Sequence, residues 1–101
     1  MQTPLQITFR DIPHSDALET HIREKAQKLE QHFSGLIGCR VVVEQPGKHH
    51  QQGNPFNIRI DLTVPGSEIV VDRQENADAY VALRDAFDAA TRKLEDYARQ
   101  L

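Results

Sequence analysis

The sequence predicts an α+β fold in which residues 1–101 form one domain, in the order β-α-β-β-β-α, with two helices packed on one face of a four-stranded sheet. Three observations support this prediction. Four short segments alternate apolar and polar residues, as strands with one buried face do, and two longer segments repeat apolar residues with the helical period. The length also suits a single hydrophobic core. The second sheet face is therefore expected to be open to solvent or to a partner.

The amino-terminal third contains the first strand and the first helix. Residues 5–10 alternate between apolar and polar side chains and predict a strand. Ser15 can cap a helix that reaches about Phe33, because its hydroxyl can accept a hydrogen bond from a free amide of the first turn. Ser34 and Gly35 then end the helix. Its apolar stripe consists of Leu18, Ile22, Leu29 and Phe33, with Ala26 beside it.

Three further strands and a long second helix are predicted from the rest of the chain. Residues 39–44 and 56–64 alternate, and the longer segment is expected to be a central strand. A tight turn at 65–66 joins it to a last strand that ends at about Asp72, and the helical period begins at about Asn76. The apolar stripe of this helix consists of Tyr80, Leu83, Phe87, Ala90, Leu94 and Tyr97.

Composition restricts the compartment and the partners. No segment has the ~18 consecutive apolar residues of a membrane span, and residues 1–6 lack the features of a secretion signal. Cys39 is the single cysteine, so an intramolecular disulfide is impossible and a reducing, cytoplasmic location is expected. A net charge of -3 has the wrong sign for coating nucleic acid by bulk charge. We therefore expect no membrane or DNA partner, and RNA binding would need a local basic patch.

No catalytic site is predicted. The sequence has no Gly-x-Ser-x-Gly motif, no glycine-rich phosphate loop and no cysteine paired with a base, so neither an enzyme nor a cofactor is expected. Cys39 occupies an inward strand position and is expected to be a buried core thiol. His49 and His50 point apart on an extended chain and would need a third ligand such as His14, so no metal site is predicted.

One flank of the first helix carries basic side chains without an acid among them. They lie at i, i+4, i+7 and i+11 and are His21, Lys25, Lys28 and His32. This pattern fits a ridge that binds RNA phosphates. It fits equally well lysines that lie beside the core stripe and keep the helix soluble. The spacing leaves both interpretations open.

Further basic candidates lie on the second helix and in a loop. Those of the helix are Arg84, Arg92, Lys93 and Arg99. Asp88, Glu95 and Asp96 are interleaved with the arginines at spacings that suit ion pairs within the helix, so a solvated face is the alternative. Residues 46–55 have no periodicity and are expected to form an exposed, mobile loop. Its candidates, which either contact phosphate or sugar or stay solvated, are Lys48, His49 and His50.

The open sheet face is expected to carry mixed charge. Arg10, Arg40 and Arg59 occupy outward positions, and so do Glu44 and Asp61. None of the outward positions is aromatic, so this face offers no ring on which a base could stack. Base-specific recognition there is not expected.

With these residues in place, the chain resembles the family of ribosome hibernation-promoting factors and ribosome-associated inhibitors, also called sigma-54 modulation proteins. The similarity covers nearly the whole chain and rests on the order and spacing of its pieces. These are Leu5-Gln6-Ile7-Thr8, Ala17-Leu18, Lys25-x-x-Lys28-Leu29-Glu30, Asp78-x-Tyr80-x-Ala82-Leu83 and Arg92-Lys93-Leu94. The family has the same β-α-β-β-β-α order. The chain resembles its short class, which lacks the extension used for ribosome dimerisation.

The resemblance implies a ribosome-binding domain that blocks translation without catalysis. Such a protein binds the small ribosomal subunit at the decoding region during stress or stationary phase and promotes ribosome hibernation. Basic side chains of both helices hold rRNA phosphates, and Lys25, Lys28 and Arg92 stand at the family's basic positions. The free protein is expected to be monomeric, since no long exposed apolar stripe is predicted.

The second helix departs from the family pattern. Ala89, Glu95 and Asp96 stand where the family usually has basic residues. Either the affinity for RNA is lower, or the ridge of the first helix and the loop histidines contribute more of it.

Two other function classes remain open. A double-stranded RNA-binding domain has an α-β-β-β-α core, but it needs a basic cluster at the start of its last helix, where this chain has the acidic segment 75–79. A protein-interaction module would present the open sheet or the acidic helix to a protein such as a transcription factor. Binding to RNA falls steeply with salt, so salt dependence distinguishes RNA from a protein partner.

Overall fold

Six elements follow one another in the computed structural model, which describes residues 1–47 and 54–101. They are β1 (Gln6–Arg10), α1 (Asp16–His32), β2 (Gly38–Glu44), β3 (Phe56–Val64), β4 (Ser67–Asn76) and α2 (Ala79–Arg99). The predicted element order and the α+β class are confirmed. No described helix is long and apolar enough to cross a membrane.

The four strands form one sheet whose two faces differ in character. The strand order is β1-β2-β3-β4, in which β1 pairs with β2 in parallel and the other two pairs are antiparallel. On β3, Ile58, Ile60 and Leu62 are buried in one core with apolar residues of both helices. Arg59 and Asp61 alternate with them and therefore point to the opposite face. Both helices thus cover the same face of the sheet, as predicted.

A β-bulge lengthens β4 beyond its predicted end. Ile60 pairs with Val71, but Ile58 pairs with Gln74, so two residues of β4 lie opposite Arg59 alone. The extra residue reverses the inward and outward alternation, which is why the pattern read from the sequence stopped at Asp72. The prediction of that end was wrong, because β4 continues to Asn76.

The amino-terminal cap of α1 is at the predicted residue. The Ser15 hydroxyl accepts a hydrogen bond from the backbone amide of Leu18 at 3.2 Å. Asp16 and Glu19 lie in the first turn, where negative charge interacts favourably with the helix dipole. The buried face of the helix consists of Leu18, Ile22, Ala26 and Leu29. The basic flank therefore lies beside this face, at the surface.

The start of α2 lies later than the sequence predicted. Asp78 is the cap, and its carboxylate accepts hydrogen bonds from the amides of Tyr80 at 2.9 Å and Val81 at 3.4 Å. The Asn76 side chain accepts a bond from the Asp78 amide at 2.9 Å. Asn76 still belongs to β4, so the helix begins at Ala79.

Tyr80 lies outside the core, contrary to the prediction that it belongs to the buried stripe of α2. Leu83, Phe87 and Leu94 of that stripe are buried, whereas Tyr80 is 42% exposed. Tyr80 occupies the first turn at the edge of the stripe, where its ring contacts the His21 ring of α1. At the other end of the stripe, the Tyr97 hydroxyl donates a hydrogen bond to the Pro65 carbonyl at 2.6 Å.

The Asp78 cap should contribute measurably to stability. Substitution Asp78→Ala removes the acceptor of two amide hydrogen bonds and is expected to lower the free energy of unfolding by about 1 kcal/mol. Asp88→Ala is the control, because Asp88 is an exposed acid of the same helix that makes no hydrogen bond or ion pair in residues 1–47 and 54–101. Its effect should stay within about 0.5 kcal/mol. Urea unfolding followed by circular dichroism measures both; equal losses would contradict a stabilising cap.

The predicted core position of Cys39 is confirmed. The residue is buried, and burial raises the pKa of its thiol to about 12, with the negative charge of Asp61 adding to the effect. The thiolate is the reactive form of cysteine. Cys39 is therefore protonated and inert at neutral pH.

The raised pKa also predicts a loss of stability in alkali. In the unfolded chain the thiol ionises near 9.0, and in the folded chain near 12. The contribution of this group is thus complete below pH 9.0 and lost as the pH rises towards 12. We expect the free energy of unfolding to fall more steeply with pH across this window in the wild type than in Cys39→Ala. Parallel slopes in the two proteins would contradict the prediction.

Candidate nucleic-acid interface

The two helices run in the same direction and leave a groove between them. The His21 ring lies 4.8 Å from the Tyr80 ring near the start of both helices, and the Phe33 ring lies 5.9 Å from the Tyr97 ring near their ends. Between these contacts the surface forms a groove of about 280 Å³. Its lining residues are Lys25, Lys28, Leu29, His32, Phe87, Asp88 and Thr91. Lys25, Lys28 and His32 of the basic flank predicted on α1 therefore form one wall of this groove, whereas His21 is not among its lining residues.

The two lysines of the groove wall are not neutralised by neighbours. In the described part of the chain, neither Lys25 nor Lys28 makes an ion pair or a hydrogen bond. Asp88 is the acid that lines the groove, and it is not paired with them. An unpaired ammonium group is available to an external anion without first losing an internal partner. The groove wall is thus a local positive surface on a chain of net charge -3.

The basic residues of α2 differ in how they are paired. Arg84 lies 3.1 Å from the carboxylate of Asp85, and Arg99 pairs with Asp96. Lys93 donates a hydrogen bond to the Val70 carbonyl of β4 at 2.8 Å, so this lysine contacts the edge strand. Arg92 differs from these three cations, because its side chain makes no hydrogen bond or ion pair with any described residue.

The ion pairs predicted within α2 are found in part. Of the interleaved acids, Asp96 pairs with Arg99, while Asp88 and Glu95 make no ion pair with any described residue. Arg84 instead contacts its sequence neighbour Asp85. Spacing alone identifies which pairs are possible, and side-chain conformation decides among them.

Three of the four described arginines on the open sheet face, Arg10, Arg59 and Arg73, pair with carboxylates. Arg59 lies 3.1 Å from both Asp61 and Asp72, and Arg73 lies 3.1 Å from Glu75. Further across the sheet, Arg10 lies 3.8 Å from Glu44, while Arg40 bonds to the Gln6 amide. The predicted mixed charge is confirmed. An anionic ligand would therefore meet less uncompensated charge here than along the groove wall.

Residues 5–101 match the family described as sigma 54 modulation protein / S30EA ribosomal protein. The chain belongs to this family. Comparison with curated proteins gives no match. The fold resembles a ribosomal subunit interface protein from Coxiella burnetii, with a TM-score of 0.80 and 17% identity over 94% of this chain and 97% of that one. It also resembles the N-terminal domain of Protein Y from Thermus thermophilus, with a TM-score of 0.75 and 24% identity over 91% and 94%.

Membership of the S30EA ribosomal protein family confirms the resemblance seen in the sequence. The family consists of ribosome-associated proteins that are not enzymes, so the chain is associated with the ribosome and not with catalysis. The two structural neighbours share the fold at low sequence identity. What this family member binds on the ribosome, and through which residues, therefore has to be argued from its own surface.

The histidine candidates lie in different parts of this S30EA family member. His21 and His32 accompany the lysines of the groove wall on α1. Lys48, His49 and His50 lie outside the described residues. His14, considered as a third metal ligand with the loop histidines, has its Nδ1 3.3 Å from Asp16 and its Nε2 3.7 Å from Glu19. These three groups lie close together at the surface and are next to one another at the start of α1.

Three residues of α2 at or near the groove were not binding candidates in the sequence analysis. Phe87 and Thr91 line the groove, and Tyr80, which is outside the lining, contacts His21 of α1 nearer the start of both helices. A helical projection places all three on the edge of the apolar stripe of α2. The projection does not indicate which edge faces α1, since this depends on both helices running in the same direction.

Proposed function

We propose that this protein binds the small ribosomal subunit near the decoding region and inhibits translation, promoting ribosome hibernation under stress or in stationary phase. Family membership supports association with the ribosome. The observation that supports contact with rRNA is the set of unpaired cations on the helical face, Lys25 and Lys28 on α1 and Arg92 on α2. These are the positions that the family resemblance assigned to phosphate binding.

Phosphate binding suits this surface for a physical reason. Contacts from lysine and arginine to phosphate oxygens fix position and orientation without reading the base sequence. A protein with one docking site on a folded RNA needs position more than sequence readout, because the shape of the RNA supplies specificity. Lys25 and Lys28 line the groove on α1, and Arg92 is an unpaired cation of α2 outside the groove lining, so both helices offer a contact to phosphate. A cytoplasmic location and the ribosomal subunit as partner follow from this proposal.

The negative net charge argues for a local mode of binding. A chain of charge -3 is repelled by RNA at long range, so the attraction has to come from the groove wall at short range. Salt screens both the long-range repulsion and the short-range attraction. In addition, each lysine or arginine that contacts a phosphate releases counterions from the RNA, so the logarithm of the association constant falls linearly with the logarithm of salt concentration, with a slope proportional to the number of contacts. For three phosphate contacts, the logarithm of the association constant should fall with the logarithm of salt concentration with a slope of about -2 to -3.

The test is binding to purified small ribosomal subunits at a series of salt concentrations, with large subunits as the matched control. Salt-sensitive binding to the small subunit, together with inhibition of translation in a purified system, is the expected result. Binding that is equal for both subunits would contradict a specific docking site. Binding that does not change with salt would favour a protein contact on the ribosome over rRNA.

A further inference from the structure

Tyr80 is an exposed aromatic side chain at the end of the cationic groove. It is 42% exposed, and the other exposed large apolar side chain in the described part of the chain is Leu101, at 84%. Its hydroxyl makes no hydrogen bond to a described residue, and Tyr80 is not part of the buried core cluster. Its ring contacts the His21 ring, and part of its surface stays open to solvent.

Both the backbone and the ring of Tyr80 are held in place by neighbouring residues. Its backbone amide donates to the Asp78 cap at 2.9 Å, and Asp78 is itself held by Asn76 at 2.9 Å. The ring meets the His21 imidazole edge to face, with a centroid distance of 4.8 Å and an interplanar angle of 71°. Such an arrangement is favourable for two rings and limits their motion. Tyr80 is thus a positioned ring with part of its surface open to solvent.

The basic flank of α1 begins next to Tyr80 and is complementary to the phosphates of an RNA strand. His21 is the first member of the basic flank, and Lys25 follows one helical turn later, at about 6 Å along the axis. A ring next to unpaired cations is the combination with which proteins bind single-stranded nucleic acid, because bases stack on the ring while cations contact the backbone. A base inside a duplex has no free face to offer.

We propose that Tyr80 is a stacking site for an unpaired rRNA base, at the end of the groove where Lys25 and Lys28 bind phosphates. This inference rests on the proposed function. It narrows the ligand from rRNA in general to a segment with at least one unstacked base. Stacking accepts any base, so the site adds affinity without imposing a sequence.

The experiment compares Tyr80→Leu and Tyr80→Phe with the wild type in binding to small ribosomal subunits over a series of salt concentrations. Tyr80→Leu removes the ring and is expected to weaken binding by about 5- to 150-fold. Tyr80→Phe keeps the ring and should stay within about twofold of the wild type. Neither substitution removes a charge, so the salt slope should be unchanged in both. Chemical probing of the rRNA should show one base that the wild type and Tyr80→Phe protect and Tyr80→Leu does not.

The possible outcomes separate this inference from the proposed function. If Tyr80→Leu binds as tightly as the wild type, or if Tyr80→Phe binds as weakly as Tyr80→Leu, stacking is overturned while ribosome binding stands. A loss of affinity with a smaller salt slope would show that the lysines have moved, which also overturns stacking. If the wild type itself does not bind the subunit, the proposed function fails and the inference fails with it. Circular dichroism of each variant establishes that it is folded.

Discussion

The double substitution Lys25→Glu/Lys28→Glu is expected to weaken binding to the small ribosomal subunit by at least ~100-fold. A hydrogen bond to a charged group contributes about 1.5–3 kcal/mol, so the loss of two such contacts costs about 3 kcal/mol or more. Placing carboxylates beside phosphates adds repulsion. Because two phosphate contacts are lost, the salt slope should become shallower by about 2. The measurement is the dissociation constant at several salt concentrations.

The matched control is Arg23→Glu/Arg73→Glu. It changes the net charge by the same amount, but Arg23 lies on the other flank of α1 and Arg73 lies on the open sheet face. Both arginines pair with exposed carboxylates, and such surface pairs contribute little to stability. We expect the control to bind within about threefold of the wild type, with an unchanged salt slope. Equal losses in the two double variants would mean that overall charge, and not the groove wall, determines binding.

Local sequence patterns were sufficient to predict most of the fold. Ser15 predicts the start of α1 because capping depends on one side chain and the amides of the next turn. The strand at 56–64 follows from five alternating apolar residues, and the structure has β3 over the same range. Both features are determined by interactions between residues close in sequence or by a single buried face.

Features that depend on distant contacts were not predicted. The bulge in β4 reverses the side-chain alternation after Asp72, and its position is set by pairing with Arg59 across the sheet. Lys93 was considered for phosphate binding, but its contact with the Val70 carbonyl depends on how α2 lies against the sheet edge. The exposure of Tyr80 likewise depends on the direction of α1. A periodic pattern contains no information about any of these relations.

The candidate site was predictable in its residue types more than in its geometry. The spacing of Lys25 and Lys28 on α1 identified a basic flank, but the same spacing is typical of solubilising lysines. The structure adds that neither Lys25 nor Lys28 has a carboxylate partner among the described residues, while Arg23 on the same helix has one in Glu19. Solubilising lysines are commonly unpaired as well, so the binding experiment is what decides between the two interpretations. Pairing of this kind depends on side-chain placement and so requires the structure.

The other large effect is expected from the core, where Ile22→Ala should lower the free energy of unfolding by about 2–5 kcal/mol. Ile22 is fully buried and packs α1 against the sheet in the shared core. Two terms add up to this loss. The shorter side chain buries less apolar surface on folding, and the removed carbon atoms leave a cavity in the core. Gln27→Ala is the control, since Gln27 is an exposed residue of the same helix and should change stability by less than about 0.5 kcal/mol. Urea unfolding measures both variants.

Ile22 and the lysines should affect different measurements although they lie on one helix. A domain of this size is stable by about 5–15 kcal/mol, so Ile22→Ala should remain mostly folded without denaturant. Its salt slope for subunit binding is then expected to match the wild type, because the lysines are unchanged. Lys25→Glu/Lys28→Glu should show the opposite result, with weak binding and nearly unchanged stability. If Ile22→Ala loses binding and salt slope together while still folded, α1 positions the cations less rigidly than its buried face suggests.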